Sequence, residues 1–335
     1  MPERLHLALA PVKDELRAVS DRILSQVADP VVRKVVYLIA AGGKRLRPAL
    51  VLLTGASGPS PDREALIETA TAVELIHTAT LIHDDIIDQS PLRRSRPTFH
   101  QRWGTERAVL MGDYLYATAF TLLARLQAPG VVRIMADVCR QLCRGELREV
   151  EARYRLDLTE AEYFEIIQDK TASLVGGCCH SGAVLGGCEP EAVRRFAEFG
   201  ERFGLAFQII DDCLDLTGDP RRLGKAVCAD ADKGALSLPM IYLTQRLSTR
   251  ERTRLFAPLR PPARDRAGRA GARAADPAFL ARVAREARAS GAIAQAQGRA
   301  QEMIQAGLAS LARIPMNGLT RAYRQLADYA ISRRS

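Results

Sequence analysis

Two clusters of aspartate are the part of this chain best suited to chemistry. The first lies in LIHDDIID, residues 81–88, and the second in IIDDCLD, residues 209–215. Each places two adjacent aspartates and a third one among apolar residues that read as a buried helix. Side chains at i and i+4 share a helix face, so Asp84 projects beside Asp88, and Asp211 beside Asp215. Carboxylates this close raise one another's pKa unless a cation lies between them.

The composition of the two clusters indicates which cation that is. Carboxylate oxygens without cysteine or several histidines favour a hard ion, and Mg²⁺ fits best because substrate phosphates complete its coordination. A single cluster of this kind is often a solvated helix face, but here the flanking residues are too apolar and the cluster occurs twice. An EF-hand would need a glycine-bearing loop with alternating ligands, which neither copy has.

Basic residues near the clusters are suited to binding phosphate. The net charge is +9, yet only six of the 48 basic residues are lysine, so a retained lysine suggests a need for a compact ammonium. The phosphate-competent group comprises Lys44, Arg45, Arg47, Arg93, Arg94, Lys170 and Lys225. No GxxxxGK[ST] occurs, which excludes a P-loop. Lys13, Lys34 and Lys233 are interpreted as surface charges.

Helical periodicity dominates the chain and predicts an all-α fold. Apolar residues recur at three-four spacing in segments such as EALIETATAVELIHTATLIHDDIID, and no stretch shows two-residue alternation bounded by turns. Short breaks between helices predict a bundle of antiparallel neighbours in a single domain, residues 1–335. Residues 257–276, rich in Pro, Gly, Ala and Arg, are interpreted as a solvated connection.

Composition argues against several other classes of protein. We find no apolar run long and uncharged enough to span a bilayer, and the N-terminus is too acidic and too short for a secretory signal. Seven cysteines without a paired framework indicate a reducing cytoplasm. Arginines scattered among acids, with one tryptophan, disfavour nucleic-acid binding.

Cysteine and histidine offer a rival metal site, which the local pattern disfavours. Cys178, Cys179 and His180 lie in LVGGCCHSGAVLGG, which is typical of a small-residue helix face that allows close packing. Cys139 and Cys143 share a helix face without a nearby histidine, so zinc is not expected.

Taken in order, these motifs resemble those of the trans-isoprenyl diphosphate synthases, also called polyprenyl synthetases. The resemblance rests on GGKRLRP, ELIHTATLIHDDIIDQSPLRRSRPT, GDYL, KTASL, FQIIDDCLDLTGD, and LGKAV followed by SLP. It implies a helical bundle around a central cavity, a Mg²⁺ cofactor and a homodimer. The implied reaction is head-to-tail condensation of isopentenyl diphosphate with an allylic diphosphate.

The resemblance also assigns roles to individual residues. Isopentenyl diphosphate would be held by Lys44, Arg47, His77 and Arg94. The allylic diphosphate would contact Arg93, Lys170, Thr171, Gln208 and Lys225. Mg²⁺ would be bound by Asp84, Asp88 and Asp211, with Asp85, Asp212 and Asp215 assisting or lying behind them. The residues expected to act directly in catalysis are Asp84, Asp88, Lys170, Asp211 and Lys225.

The chemistry of the implied reaction requires residues of these types. Breaking the allylic C–O bond creates a carbocation and a diphosphate, whose growing charge needs metal ions, lysines and arginines. Apolar walls must keep water away from the cation. The chain departs from the family pattern where Cys228, Ala229 and Ala235 replace the usual glycine, acid and lysine, which puts the contribution of this loop in doubt.

Small residues before the first cluster predict a long product. In the family a bulky aromatic four or five positions before the motif stops chain growth, whereas here those positions hold Thr80 and Ala79. We therefore expect a long all-trans polyprenyl diphosphate of the type used for quinone side chains. A wall on another helix is the alternative determinant of length, and a farnesyl or geranylgeranyl diphosphate synthase is the alternative enzyme.

Two further alternatives are a terpene cyclase or head-to-head coupling enzyme on the same fold, and a non-catalytic partner subunit. The cyclases and coupling enzymes usually lack a second full cluster and the paired basic elements. Partner subunits tend to lose the metal aspartates, whereas this chain keeps both sets.

Overall fold

The computed structural model describes residues 3–40, 43–217, 228–259, 276–312 and 314–333, and in these ranges it is almost entirely helical. The prediction of an all-α fold is confirmed. The helices are α1 Glu3–Leu9, α2 Lys13–Gln26, α3 Val36–Ile39, α4 Leu46–Ala56, α5 Arg63–Ile87, α6 Phe99–Trp103, α7 Thr105–Arg125, α8 Pro129–Ala152, α9 Glu160–Ile167, α10 Ser173–Leu185, α11 Pro190–Thr217, α12 Ala229–Asp232, α13 Leu238–Arg246, α14 Thr249–Phe256, α15 Pro277–Ala289, α16 Ala292–Leu311 and α17 Thr320–Ser332.

Shorter helical turns connect some of these elements. Ala10–Val12 and Arg33–Val35 are 3₁₀ turns, and Gln168–Ala172 is a π-helical turn between α9 and α10. Side-chain caps fix several helix starts. Asp62 accepts a hydrogen bond from the Ala65 N–H at the start of α5, and Thr159 forms a capping box at the start of α9.

Two long helices, α5 and α11, carry the aspartate clusters and are held by different neighbours. Helix α5 packs mainly against α7 and α4, whereas α11 packs against α10 and α16. Helix α10 approaches α4 so closely that a Cβ on Gly182 would lie 2.3 Å from the Val51 carbonyl oxygen. This confirms that the segment around Cys178 is a small-residue packing face.

Among the described residues the only sheet is a two-stranded hairpin, which the sequence analysis did not predict. Leu92–Arg93 pairs antiparallel with Arg96–Pro97. Its two turn residues, Arg94 and Ser95, both have positive φ, at 52° and 60°. A two-residue hairpin turn of this type requires that conformation at both positions, and the glycine that usually signals it is absent.

Helix α5 also corrects one expectation from the sequence. Residues Arg63–Ile87 are long and apolar enough to meet the length and hydropathy criteria for a membrane span, although no such run was expected. In the structure 78% of the apolar window is buried inside the bundle, as in a core helix. Of residues 257–276, the structure describes only 257–259 and 276.

Candidate active site

Two connected cavities lie between α5 and α11. The larger, about 830 Å³, is lined by Lys44, Arg45, Arg47, His77 and Arg94 together with residues of α10 and α11, and we call it the basic chamber. The smaller, about 410 Å³, contains the aspartates of both clusters, and we call it the acidic chamber. Both are lined by Leu81, Asp84, Arg93, Arg94, Lys170, Gln208 and Asp211, so one ligand could reach both.

The three aspartates of the first cluster have different surroundings. Burial raises the pKa of Asp84 to about 7, with Lys170 partly offsetting this. Asp88 accepts hydrogen bonds from Arg153 (2.6 Å) and the Lys233 ammonium (2.7 Å). Burial would raise the pKa of Asp88, but Lys233, Lys170 and Arg153 together lower it below its usual range. The cluster therefore contains one carboxylate that favours an added cation and one already paired with two.

Asp85 is a buried ion-pair partner that lines the acidic chamber with the other two aspartates. Its carboxylate accepts two hydrogen bonds from Arg93 Nε, at 2.9 and 3.0 Å. Arg93 is the last residue of the first hairpin strand, and Arg94 is the first residue of the turn that follows it. Arg93 and Arg94 each line both chambers, and Arg93 also bonds to Asp85.

The second cluster faces the same space from α11. Asp211 lines both chambers and forms an ion pair with Arg333 at 2.8 Å. Asp212 accepts hydrogen bonds from the Tyr163 hydroxyl (2.6 Å) and the Gln208 amide (2.9 Å). Burial raises the pKa of Asp212 to about 7 despite these bonds. Asp215 is buried and accepts a hydrogen bond from the Asp230 backbone N–H.

The basic chamber brings together the residues that the sequence assigned to isopentenyl diphosphate. Arg45 begins α4 in the left-handed conformation, with φ of 49°. Arg47 Nη1 lies 3.1 Å from His77 Nε2, which accepts its hydrogen bond. Burial and the neighbouring Arg47 hold the pKa of His77 well below its usual range, so this ring is neutral. Lys44 lies over the Tyr329 ring, 5.4 Å from its centroid.

The π-helical turn positions Lys170 and Thr171 between the chambers. Asp169, within the turn, accepts two hydrogen bonds of 2.6 Å from Arg144 on α8. Thr171 donates to Gln208, which in turn donates to Asp212, so α9, α10 and α11 are linked at the site. Turns of this kind interrupt α-helices most often at functional sites.

Comparison with known proteins agrees with this geometry. The polyprenyl synthetase family model matches residues 29–268. The chain is 36% identical over 314 residues to a nonaprenyl diphosphate synthase of Mycobacterium tuberculosis, covering 93% of this chain and 90% of that one. It is 38% identical over 259 residues to a short chain isoprenyl diphosphate synthase of Methanothermobacter thermautotrophicus, covering 73% and 79%.

A solved structure supports the same assignment. A polyprenyl synthase from Caulobacter crescentus, complexed with calcium and isoprenyl diphosphate, superposes with a TM-score of 0.88 at 32% identity, over 99% of this chain and 98% of that one. The chain belongs to the polyprenyl synthetase family. It is therefore a trans-prenyltransferase of the all-α isoprenoid synthase fold.

Sequence reasoning missed several residues of this synthase's site. Lys170 forms ion pairs with Glu146 (2.7 Å) and Glu149 on α8, and these carboxylates raise its pKa although burial opposes them. Arg333, almost fully buried, lies 3.6 Å from the Phe207 ring centroid while it pairs with Asp211. In a chain this rich in arginine, neither Arg153 nor Arg333 stands out by type.

One sequence interpretation is wrong, and one residue cannot be placed. Lys233 is not a surface charge, since it lines the acidic chamber and bonds to Asp88. Ala235 lines the same chamber without a charge. Lys225, assigned to the allylic diphosphate and to catalysis, lies outside the described residues.

The two residues assigned to product length differ in their position relative to the basic chamber. Thr80 lines this chamber beside Leu142 and Leu174. Ala79 is fully buried and does not line it. The path of a long tail along α5 therefore stays a prediction.

Members of this family use divalent metal ions, and the acidic chamber fits one. Eight carboxylates and five basic side chains line the chamber, so it carries an excess of negative charge. Within the described ranges no three His, Cys, Asp or Glu side chains converge as a ready metal site. Basic side chains engage two of the three assigned carboxylates, Asp88 and Asp211. Asp84, Asp88 and Asp211 would hold the ion once those pairs exchange.

Proposed function

We propose that the synthase catalyses Mg²⁺-dependent head-to-tail condensation of isopentenyl diphosphate with an allylic diphosphate, giving a long all-trans polyprenyl diphosphate. The observation that supports this best is the pair of connected chambers, one basic and one acidic. Two diphosphates side by side need two kinds of site. A basic chamber holds one by direct charge-assisted hydrogen bonds, and an acidic chamber holds the other through a metal ion.

Different side chains are assigned to the two substrates. Lys44, Arg47 and Arg94 hold isopentenyl diphosphate, and the neutral His77 orients Arg47. Lys170 and Arg93 contact the allylic diphosphate, while Thr171 and Gln208 position the π-helical turn against it. Mg²⁺ supplies Lewis-acid stabilisation of the negative charge that grows on the departing diphosphate. Oxygen donors and phosphate ligands favour Mg²⁺ over softer ions.

The reaction also requires that water is kept away from the carbocation and that one proton is removed from the product. Leu81, Leu142, Leu174 and Phe207 line the larger chamber with apolar groups that do not attack a carbocation. After the C–C bond forms, one proton must leave the new chain. The departed diphosphate is the base we assign, since it lies next to that carbon and carries the charge to accept it.

Product length is supported by the small side chains of α5 and by one of the relatives. Thr80 and Ala79 leave no aromatic cap at the first turn below Asp84. The relative from M. tuberculosis, which the chain matches over 93% of its length, is a nonaprenyl diphosphate synthase. A product of this kind is suited to quinone side chains. The short-chain relative keeps a farnesyl or geranylgeranyl product as the alternative.

We also propose a cytoplasmic homodimer formed through α7 and α8. Five large apolar side chains on these helices are exposed in the single chain: Val109, Leu110, Tyr114, Leu147 and Val150. Exposed apolar patches of this extent commonly mark an interface, and a second copy supplies the same patch. The seven cysteines are free thiols, which supports a reducing compartment.

The test of this function is product analysis of the purified protein. It is incubated with isopentenyl diphosphate and each of dimethylallyl, geranyl, farnesyl and geranylgeranyl diphosphate, with Mg²⁺ or with EDTA. We expect a ladder of all-trans products that ends at a long chain, and no product with EDTA. Unchanged substrates in every Mg²⁺ reaction would rule out the proposed activity, and cyclic hydrocarbons would indicate a terpene cyclase.

A further inference from the structure

The third aspartate of the first cluster is held by two cations from distant parts of the chain. Arg153 Nη2 donates to Asp88 Oδ1 at 2.6 Å, and Lys233 Nζ donates to Asp88 Oδ2 at 2.7 Å. Asp88 is 12% exposed, Arg153 19% and Lys233 32%, measured on the side chains. Both oxygens are therefore engaged by groups that still reach the cavity.

The backbone holds these two cations in place together. The Tyr154 N–H donates to the Gly234 carbonyl at 2.7 Å, which ties the residue after Arg153 to the residue after Lys233. Gly234 has a φ of +78°, and a Cβ there would lie 2.5 Å from the Tyr154 ring. A glycine is required at this contact, so the convergence on Asp88 is built into the fold.

The surroundings show that this cluster does more than neutralise one carboxylate. Arg153 and Lys233 both line the acidic chamber with Asp84, Lys170 and Asp211. The Nε–H of Arg153 is buried and has no hydrogen-bond acceptor. Arg153 thus lines the acidic chamber and has a donor that no protein acceptor uses, so its guanidinium has capacity for a further acceptor.

We propose that Arg153 and Lys233 form a paired clamp for the allylic diphosphate, held on Asp88 until a metal ion takes their place. This inference rests on the proposed function. When Asp88 turns to the metal, its two cations lose their partner at the edge of the chamber where the diphosphate lies. They then pair with diphosphate oxygens, the arginine through its planar fork and the lysine as a compact charge.

This exchange couples the binding of metal and diphosphate. Without diphosphate, the two cations compete with the metal for Asp88. With diphosphate, the same cations gain a new partner, so each ligand strengthens the binding of the other by the same factor. Removing either cation should therefore weaken this coupling, whereas removing a merely structural ion pair would leave it unchanged.

Calorimetric titration of Mg²⁺ and of inorganic diphosphate tests the clamp without turnover. The variants are Arg153→Met and Lys233→Met, each of which leaves Asp88 one cation. The controls are Arg155→Met, two residues away and exposed, and Lys34→Met, also exposed. Circular dichroism and thermal unfolding verify that each variant is folded. Lys233→Arg tests whether another positively charged side chain at this position keeps the wild-type affinities.

The two Met variants are expected to bind diphosphate more weakly, and Mg²⁺ alone more tightly, than the wild type. At saturating Mg²⁺, each Met variant should bind inorganic diphosphate about tenfold or more weakly, the effect of losing one charged hydrogen bond. Without diphosphate, the same variants should bind Mg²⁺ more tightly, because Asp88 has one competitor fewer. Lys233→Arg and both controls should stay close to the wild type.

Other outcomes would overturn the clamp. Unchanged diphosphate affinity in both Met variants would show that Arg153 and Lys233 do not contact it, and weaker binding of Mg²⁺ alone would indicate a structural ion pair. If the wild type binds Mg²⁺ with diphosphate and forms polyprenyl products, these results leave the proposed function intact. A wild type that neither binds Mg²⁺ with diphosphate nor forms polyprenyl products would contradict both the clamp and the proposed function.

Discussion

Asp84 lies deep between the two chambers, where burial raises its pKa to about 7 from an ordinary value of 3.8. Its ionised form is costly in the metal-free protein, and a divalent ion removes that cost. The same residue is thus expected to lower stability and to be required for activity. Such a conflict is common at active sites, where function is retained at the expense of stability.

The pH dependence of stability follows from this shift. Below about pH 4 Asp84 is protonated in both the folded and the unfolded chain. As pH rises to about 7 the unfolded chain ionises first, so the contribution of Asp84 to the free energy of unfolding falls across this range. Asp84→Asn should therefore stabilise the metal-free protein at pH 8 by about 1–3 kcal/mol and change little at pH 4.

Thermal unfolding of the wild type and of Asp84→Asn at both pH values, with EDTA present, measures this. Asp14→Asn is the matched control, since Asp14 is exposed and should show no such gain. A variant less stable than the wild type at pH 8 would contradict the interpretation that the burial of the Asp84 carboxylate is only partly compensated.

The basic side chains should separate the two substrates. Lys44→Ala or Arg94→Ala removes a charge from the basic chamber and should raise the KM for isopentenyl diphosphate about tenfold or more. Lys170→Ala should instead impair use of the allylic substrate. Steady-state kinetics with one substrate varied at a time distinguishes them, with Lys34→Ala as the control. Equal effects on both substrates from all three variants would argue against two distinct sites.

At the scale of elements, the i, i+4 spacing predicted that Asp84 projects beside Asp88 and Asp211 beside Asp215, and all four line the acidic chamber. Spacing within a helix could not show which cation each aspartate meets, because Arg153, Lys233 and Arg333 come from elsewhere in the chain. The hairpin at Arg94 and Ser95 was missed because neither residue is a glycine or asparagine. The π-helical turn at Lys170 has no sequence signal at all, since it follows from an extra residue within an otherwise regular helical pattern.

Helix α5 also carries the prediction on product length. Each helical turn rises about 5.4 Å, and we expect a wild-type product of about six isoprene units or more because Thr80 and Ala79, four and five positions before Asp84, are small. Ala79→Tyr should shorten the product by placing a ring in that passage. Mass spectrometry of the products measures their length, with Ala278→Tyr, at an exposed position of α15, as the control. A wild-type product that stops at farnesyl or geranylgeranyl diphosphate would show that another helix closes the passage.

At the scale of the whole molecule, composition misled the interpretation of the lysines. A lysine retained in an arginine-rich chain was taken to be significant only where a motif surrounded it, so Lys233 was set aside. Its role depends on the loop that begins at Cys228, on Gly234 and on Tyr154, which are brought together only by tertiary packing. Resemblance over the whole chain identified the family, whereas the ion pairs within the site needed the fold.

The exposed face of α7 and α8 predicts the assembly state. Leu110→Asp combined with Leu147→Asp should convert a dimer to a monomer, because two charges would be buried at the interface in each subunit. Light scattering after size-exclusion chromatography measures the mass. Val31→Asp, at an exposed apolar position away from α7 and α8, should leave the dimer intact. A wild-type monomer at micromolar concentration would contradict the proposed interface.

A double-mutant cycle on the two clusters tests most directly whether both aspartate clusters act on one departing diphosphate. The measurement is the rate of diphosphate release from an allylic substrate with isopentenyl diphosphate and saturating Mg²⁺, for Asp84→Asn, Asp211→Asn and the double variant. Residues that act as a unit give non-additive losses. We expect each single variant to lose about 100-fold or more in kcat, and the double variant to lose little beyond the worse single one. Near-wild-type turnover by either single variant, or a double variant whose loss is the product of the two, would contradict this account.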